Sequence, residues 1–329
     1  MKLSVMGLGV ISKAGSVQAI ESMLGYPAID PTVLTSDHTL AVDIPDEFQI
    51  SPSLVRRMSH FAKISLLSAC YALKDSGIDL REKAVGIIQG SVYGPIISGI
   101  QAFDDLIDFG DNQLSPTNFS GSVFNTSATY LSLAFGIQGC TLSHTSGLDT
   151  LYNSLQSAAL WLESGTVDYV IAGIGDEYTP YFDHGTPSYN QQDGLLPSCE
   201  GWTTFILGKD DDAKYGKVEC KYLQDWPDLK NEKVIVSFWN ERVSREDFLH
   251  LAVESQACVP LYLRGSYPSA AAFDLALALI CGKKRRFPIY QPTTGIYQNI
   301  DTTIGEPITC YSQSENTGFY QFQIKDVGR

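Results

Sequence analysis

Between residues 135 and 177 the chain reads FGIQGCTLSHTSGLDTLYNSLQSAALWLESGTVDYVIAGIGDE, and this stretch constrains the fold more than any other. Leu148, Leu151, Tyr152, Leu155, Ala158, Ala159 and Leu162 recur at helical spacing, which gives one apolar, buried face. Ser146 followed by Asp149 is a capping-box-like start, and Gly165 supplies a stop. Residues 169–173, YVIAG, are a short apolar run of the kind expected in a strand covered on both faces. The predicted order is therefore strand, sharp turn, helix, strand. A strand that feeds a helix start meets unpaired amide N–H groups and the positive end of a dipole, so nucleophiles and anions are placed there. The residues at this elbow are Ser143, His144, Thr145 and Ser146, and none is a cysteine.

The bulk numbers narrow the class. A length of 329 residues suits two structural halves or one large α/β domain. Net charge of −14 argues against a nucleic-acid partner, which needs a basic face. The seven cysteines are odd in number and show no CxxC spacing, as expected of reduced thiols in a cytoplasmic protein. No metal or other cofactor is indicated. The opening MKLSVMGLGVIS reads as a first strand rather than a secretory leader. No apolar run approaches membrane-spanning length, so no integral membrane segment is expected.

Along the chain, residues 3–9 form a strand ending in a Gly-rich turn, and residues 28–50 a Pro- and Asp-rich surface loop. Residues 51–77 read as one strong helix, 84–89 as a buried strand, 95–109 as a helix and 114–125 as a loop opening with Ser-Pro. After residue 177 a turn-rich stretch leads to strands at 202–208, 218–226 and 234–239. An amphipathic helix over 245–257 and an Ala-rich helix over 269–281 follow; the latter is ended by Gly282 and the run Lys283-Lys-Arg-Arg286. Residues 309–325 finish the chain with strands, and the alternation of strands and helices means an α/β fold with mixed sheets.

Several pieces stand in a telling order: VMGLGVIS, RRMSHFAKISLLSACYALKDSGID, GIIQGSVYG, SPTNFSGSVFNTSATYLSLAFGIQG, TSGLDTLYNSLQSAALWLESGTVDYVIAGIGDE, DGLLPSCEGWTTFILGK and RGSYPSAAAFDLALALICG. Together they resemble the β-ketoacyl synthase, or condensing enzyme, family of the thiolase fold. The resemblance implies two similar halves in an α-β-α-β-α layered arrangement, with the second half shortened. The implied division is 1–207, which holds the former nucleophile elbow and the dimer-loop segment, and 208–329. It also implies a dimer across the elbow strand, with Phe119, Val123, Phe124, Cys140, Thr141 and Leu142 at the interface.

A condensing enzyme of this family uses a cysteine thiolate at the elbow and two histidines. Here the cysteine's place falls on His144 when anchored on Thr145-Ser146-Gly147 and near Leu148 when counted from the upstream glycines, neither a thiol, while Cys140 sits too early, on the strand side. His184-Gly-Thr-Pro187 lies on the wrong side of the second-half entry for the first histidine, and no histidine stands between 234 and 241. Ser266 takes the second histidine's place and Arg264 that of a preceding lysine. The catalytic positions thus read as degenerate, and no catalytic residue is expected.

Such chains resemble chain length factors, the silent partners of an active ketosynthase in type II polyketide and aryl polyene pathways, which are fatty-acid-like. The resemblance implies a heterodimer that reaches an acyl carrier protein through its partner. Phe103, Leu106 and Phe109, three apart along one helix, are the candidates for a tunnel gate; ordinary core packing is the competing role. The Lys283–Arg286 run is a weaker candidate for touching an acidic carrier, since cations also suit a helix C-terminus. The alternative reading is an acyltransferase or hydrolase that uses His144 with Ser143 or Ser146 on carrier-bound thioesters.

Overall fold

The computed structural model describes residues 1–34, 37–110, 115–181, 198–209, 213–225, 233–237, 256–258, 260–265, 267–291, 293–303, 306–314, 318–325 and 327. The strands are β1 (Lys2–Ile11), β2 (Ala28–Ile29), β3 (Val85–Gly90), β4 (Thr141–His144), β5 (Tyr169–Asp176), β6 (Gly201–Gly208), β7 (Lys217–Leu223), β8 (Lys233–Ser237), β9 (Gln256–Cys258), β10 (Arg286–Gln291), β11 (Ile296–Asp301), β12 (Ile308–Gln313) and β13 (Phe319–Lys325). The helices are α1 (Val17–Gly25), α2 (Pro52–Val55), α3 (His60–Ser76), α4 (Ile96–Phe109), α5 (Pro116–Gly121), α6 (Thr126–Phe135), α7 (Thr150–Glu163), α8 (Leu261–Arg264) and α9 (Ala271–Lys284).

Ten strands form one sheet in the order β4-β3-β5-β6-β1-β7-β13-β12-β8-β9. The order is a repeat. Read outward from the β1–β7 pair, each five-strand set has its first strand innermost, then its fifth, fourth, second and third. The pairing senses repeat too. β3 pairs parallel with β4 and β5, as β8 does with β9 and β12. β6 is antiparallel to β5 and β1, as β13 is to β12 and β7. Within the sheet the sets join where Lys2–Ser4 pair with Lys217–Glu219.

Side-chain alternation along the strands sorts the layers. On β1, Leu3, Val5, Leu8 and Val10 enter the main core with Leu151, Leu155 and Leu162 of α7 and most of α9. Ile235, Ile308, Cys310 and Phe322 of the second set enter the same core, so the two sets fold over a shared helical layer. Residues 271–281 of α9 are all buried, as a helix apolar on every side requires. The opposite face of the first set carries α3 and α6, with Leu66, Ala69, Leu131, Ile171 and Ile206 in contact. On the outer face of the second set, Val234, Val236, Ala257 and Tyr311 pack together.

Several sequence expectations need correction. The segment 51–77 is two helices, not one: the chain turns at residues 56–59, and Ser59 caps α3 by accepting from Ala62 N (3.4 Å). The 114–125 loop contains α5, where Ser115 caps and Pro116 fills the first turn, a place that needs no N–H. Gly9 does not end β1, which runs to Ile11. Its glycines serve close approach instead: a Cβ on Gly9 would overlap Ser68 O and Ala72 N of α3, and one on Gly7 would overlap Ala72 O. Gly282 does not stop α9; Arg285 does, in the left-handed region at φ 56°. Of the amphipathic helix expected over 245–257, residues 245–255 lie outside the described residues and 256–257 are strand. None of the seven cysteines forms a disulfide.

The contact of α3 with β1 gives a test. Gly9→Ala should lower unfolding free energy by about 1–3 kcal/mol. Urea denaturation of the purified variant measures it, while Gly25→Ala, where a Cβ meets nothing, serves as the control.

Candidate functional site

The elbow forms as expected, but its chemistry does not sit at the helix start. Gly90 of β3 pairs with His144 of β4, and Ser91 N donates to His144 O (3.0 Å). A turn of 3-10 helix, Gly147–Asp149, then precedes α7, with Gly147 in the left-handed region at φ 55°. Ser146 N donates to Thr150 Oγ1 (3.0 Å), whose hydroxyl donates to Gly147 O (2.7 Å). The expected Ser146–Asp149 capping box is absent, since the Ser146 side chain makes no cap bond. Asp149 Oδ1 accepts instead from Ser314 Oγ (2.8 Å), beyond the end of β12.

His144 is therefore a strand residue, and its imidazole lies along the helix rather than at its positive end. Nε2 is 3.0 Å from Ser157 Oγ, two turns into α7. Burial lowers its pKa, so the ring is neutral near pH 7. Ser143 Oγ is buried with no partner among the described residues. His144 thus pairs with neither Ser143 nor Ser146, and the nucleophile–base arrangement of the alternative reading does not form. His144 and Thr145 also border a small hollow lined by Phe61, Gln89, Phe124, Ser127 and Trp202.

The second half closes over the start of α7 from the other side. Ser237 at the end of β8, Ser269 before α9, and Ser312 and Gln313 at the end of β12 meet Gly147, Leu148 and Thr150 around a cavity of about 10 Å³. That volume holds at most one water. The meeting groups are hydroxyls and an amide; among the described residues neither a thiol nor an imidazole lines the cavity. Tyr320 of β13 stacks on Tyr152 of α7 at 4.2 Å and fixes the two halves together beside it. Ser266 and His184–Pro187 lie outside the described residues. Arg264 is spent internally: its Nε donates to Asp274 Oδ1 (2.8 Å) and its Nη1 to Gly265 O (2.8 Å), with both charged groups fully buried.

Three buried carboxylates that pattern reading passed over frame this site. Asp176, ending β5, accepts from Ser91 Oγ (2.6 Å), Val92 N (2.9 Å), Tyr93 N (3.1 Å) and Ser269 N (2.9 Å). Glu177 accepts from Ile97 N (3.0 Å) in the first turn of α4. Glu200 accepts from Leu40 N (2.6 Å), Tyr178 N (3.0 Å) and His60 Nε2 (2.7 Å). The signal was present in GIGDE and SCEGW: an acid that closes a wholly apolar strand must find donors or be neutralised.

The residues expected at a gate or an interface lie on the surface. Phe103, Leu106 and Phe109 are 65%, 42% and 62% exposed, so they are not core residues of this chain. Phe119, Val123 and Phe124 are exposed as well. Thr141 and Leu142 lie in β4, the outermost strand of the first set. Cys140 instead lines an open cleft of about 570 Å³ between residues 78–85 and 135–140, away from the elbow. In the 283–286 run, Lys283 Nζ bonds Glu21 (2.8 Å) and Arg286 Nη1 bonds Asp301 (2.8 Å) within the chain.

The comparisons with known proteins agree with this layout. Residues 38–181 match the family model described as beta-ketoacyl synthase, N-terminal domain. The chain has the ketosynthase fold. Over 131 residues it is 26% identical to the 3-oxoacyl-[acyl-carrier-protein] synthase 2 of Vibrio cholerae, a match that covers 39% of this chain and only 31% of that relative's length. A beta-ketoacyl synthase from Burkholderia phymatum superposes with a TM-score of 0.71 at 15% identity, over 99% of both chains. The ishigamide ketosynthase/chain length factor superposes with 0.73 at 13% identity, again over 99% of both. At such identities the likeness is one of fold.

The carboxylates make stability depend on pH. Burial pushes Glu177 up to about 7 from 4.5, against the Ile97 N–H and His60, which favour its charged form. For His60, burial is the largest effect and lowers the pKa, but the hydrogen bond and charge of Glu200 and the charge of Glu177 outweigh it and raise it overall. Both groups bind protons more tightly in the folded chain, so stability falls as pH rises: from 4.5 to about 7 through Glu177, and above 6.5 through His60. Glu177→Gln keeps an acceptor for Ile97 and removes one titration. Its unfolding free energy should vary less between about pH 5 and 7 and exceed the parent's at about pH 8 by about 1–3 kcal/mol, as read by urea unfolding at each pH.

Proposed function

We propose that this chain is a non-catalytic, chain-length-factor-like subunit that pairs with an active ketosynthase and shapes its acyl tunnel in type II polyketide, aryl polyene or related fatty-acid-like synthesis. The observation that carries the reading is the start of α7. There the groups that meet are Ser237, Ser269, Ser312, Gln313 and Thr150 around a cavity of about 10 Å³. Among the described residues neither a thiol nor an imidazole lines that cavity, and its volume leaves no room for a thioester. The same five-strand order is kept in both halves. We take these halves as 1–207 and 208–329.

A silent subunit needs a working one. The exposed apolar residues of α4 and the 119–124 segment, together with the open edge of β4, supply the surface for it. The known structures that share the fold include a ketosynthase/chain length factor. In the pair, Phe103, Leu106 and Phe109 would meet the partner and bound its acyl tunnel, with any acyl carrier protein docking on the partner. No helix among the described residues is long and apolar enough to cross a membrane, and we place the complex in the cytoplasm.

Malonyl-carrier condensation tests this reading. The chain alone should show no elongation, and a ketosynthase with an intact cysteine should gain activity when co-expressed with it. Elongation by the chain alone would end the proposal. With the pair in hand, Phe103→Ala and Phe109→Ala should lengthen the products seen by mass spectrometry; unchanged length in both would remove these residues from the gate.

A further inference from the structure

Helix α4 is turned inside out. Its buried side carries Ser98. One heptad further on, on that same side, Asp105 accepts from Asn118 Nδ2 (3.0 Å) and Ser115 N (3.4 Å). The outward side carries Phe103, Leu106 and Ile107, with Ile107 77% exposed, and Phe109 is exposed at the helix end. Asp104 and Asp108 are exposed too, and at i and i+4 they form a row beside the Phe103–Ile107 row. An amphipathic helix normally turns its apolar stripe inward. Here the polar stripe faces the chain and the apolar stripe faces out, flanked by two carboxylates.

The sequence adds a second constraint. From residue 84 to residue 208 it contains no Lys and no Arg. Helices α4, α5, α6 and α7 and strand β4 all lie within that stretch. These elements therefore offer apolar area, a strand edge that is open among the described residues, and carboxylates, with no cation of their own. Cations at their border include Arg56 and Arg57 in the turn before α3, where Arg57 O accepts from Tyr130 OH of α6 (2.9 Å), and Arg81 and Lys83, which line the cleft beside residues 135–140.

A closed pair of identical chains meets through the same patch on both members. For this chain such a pair would bring Asp104 and Asp108 into an interface whose own elements hold no countercharge, between two molecules each of net charge −14. A different chain with Lys or Arg around an apolar groove meets the same face with complementary charge. We infer that the α4–β4 face is built to take a cation-bearing partner chain and to refuse a second copy of itself. The inference deepens the pairing reading above and rests on it for the partner's identity. It adds what selects that partner: the charge beside the apolar stripe.

The test separates the two claims. By analytical ultracentrifugation at low salt the chain alone should be monomeric, and Asp104→Asn/Asp108→Asn should self-associate measurably more. With a ketosynthase partner, the association rate should fall about tenfold on raising salt from about 0.05 to 0.5 M, and Asp104→Lys/Asp108→Lys should lower the low-salt rate by about as much. A tight homodimer of the parent at low salt would overturn the inference. So would partner binding indifferent both to salt and to Asp104→Lys/Asp108→Lys, though the pairing reading would survive that result. Absence of any ketosynthase complex, with the parent monomeric and the Asn variant self-associating, would sink the pairing reading and leave the charge selection standing.

Discussion

The Asp176 carboxylate is the point on which the site hangs. It lies fully buried at the end of β5, where burial alone would push its pKa up and favour a neutral group. Three donors from residues 91–93 and a fourth from Ser269 hold it. The first three come from the loop between β3 and α4, and the fourth from the approach to α9. One side chain thus fixes the mouth of the first half to the entry of the second half's central helix. Glu177 and Glu200 extend the device, the one gripping the first turn of α4 and the other the 38–40 segment and His60. Unpaired acids in this position would be costly; paired to N–H groups they organise the region.

What the sequence revealed was what local physics decides. The unit over 135–177 was legible because helical periodicity and a short apolar strand run are local signals, and β4, α7 and β5 appear in that order. α9 was legible because a run apolar on every side has no alternative to burial. The break at residues 56–59 was hidden, since Ser59 can be a helix interior residue or a cap, and only packing of α3 on β1 decides. The glycines of β1 were misread as a turn for the same reason: close approach of another element leaves no trace in the local pattern.

The site was legible only as positions along the chain, not as a constellation. Counting positions along the chain placed His144 where a nucleophile belongs, but counting cannot say where an imidazole points. The 3-10 turn between β4 and α7 moves His144 back onto the strand and toward Ser157. The groups that took over the helix start, Ser237, Ser269, Ser312 and Gln313, come from three distant segments and share no motif. Likewise, the spacing of Phe103, Leu106 and Phe109 fits a core helix as well as a surface one; only the depth of Ser98 and Asp105 on the opposite side shows which way α4 is turned.

Strand β4 is the outermost strand of its set, and one of its two edges meets no other strand in the sheet. A short open edge beside a patch of exposed phenylalanines is a template for indiscriminate strand addition. Residence time outside a complex is then a hazard to the molecule, independent of how stable its core is. In the pair proposed above, this chain's working stability would be set by the concentration of the other chain as much as by its own sequence.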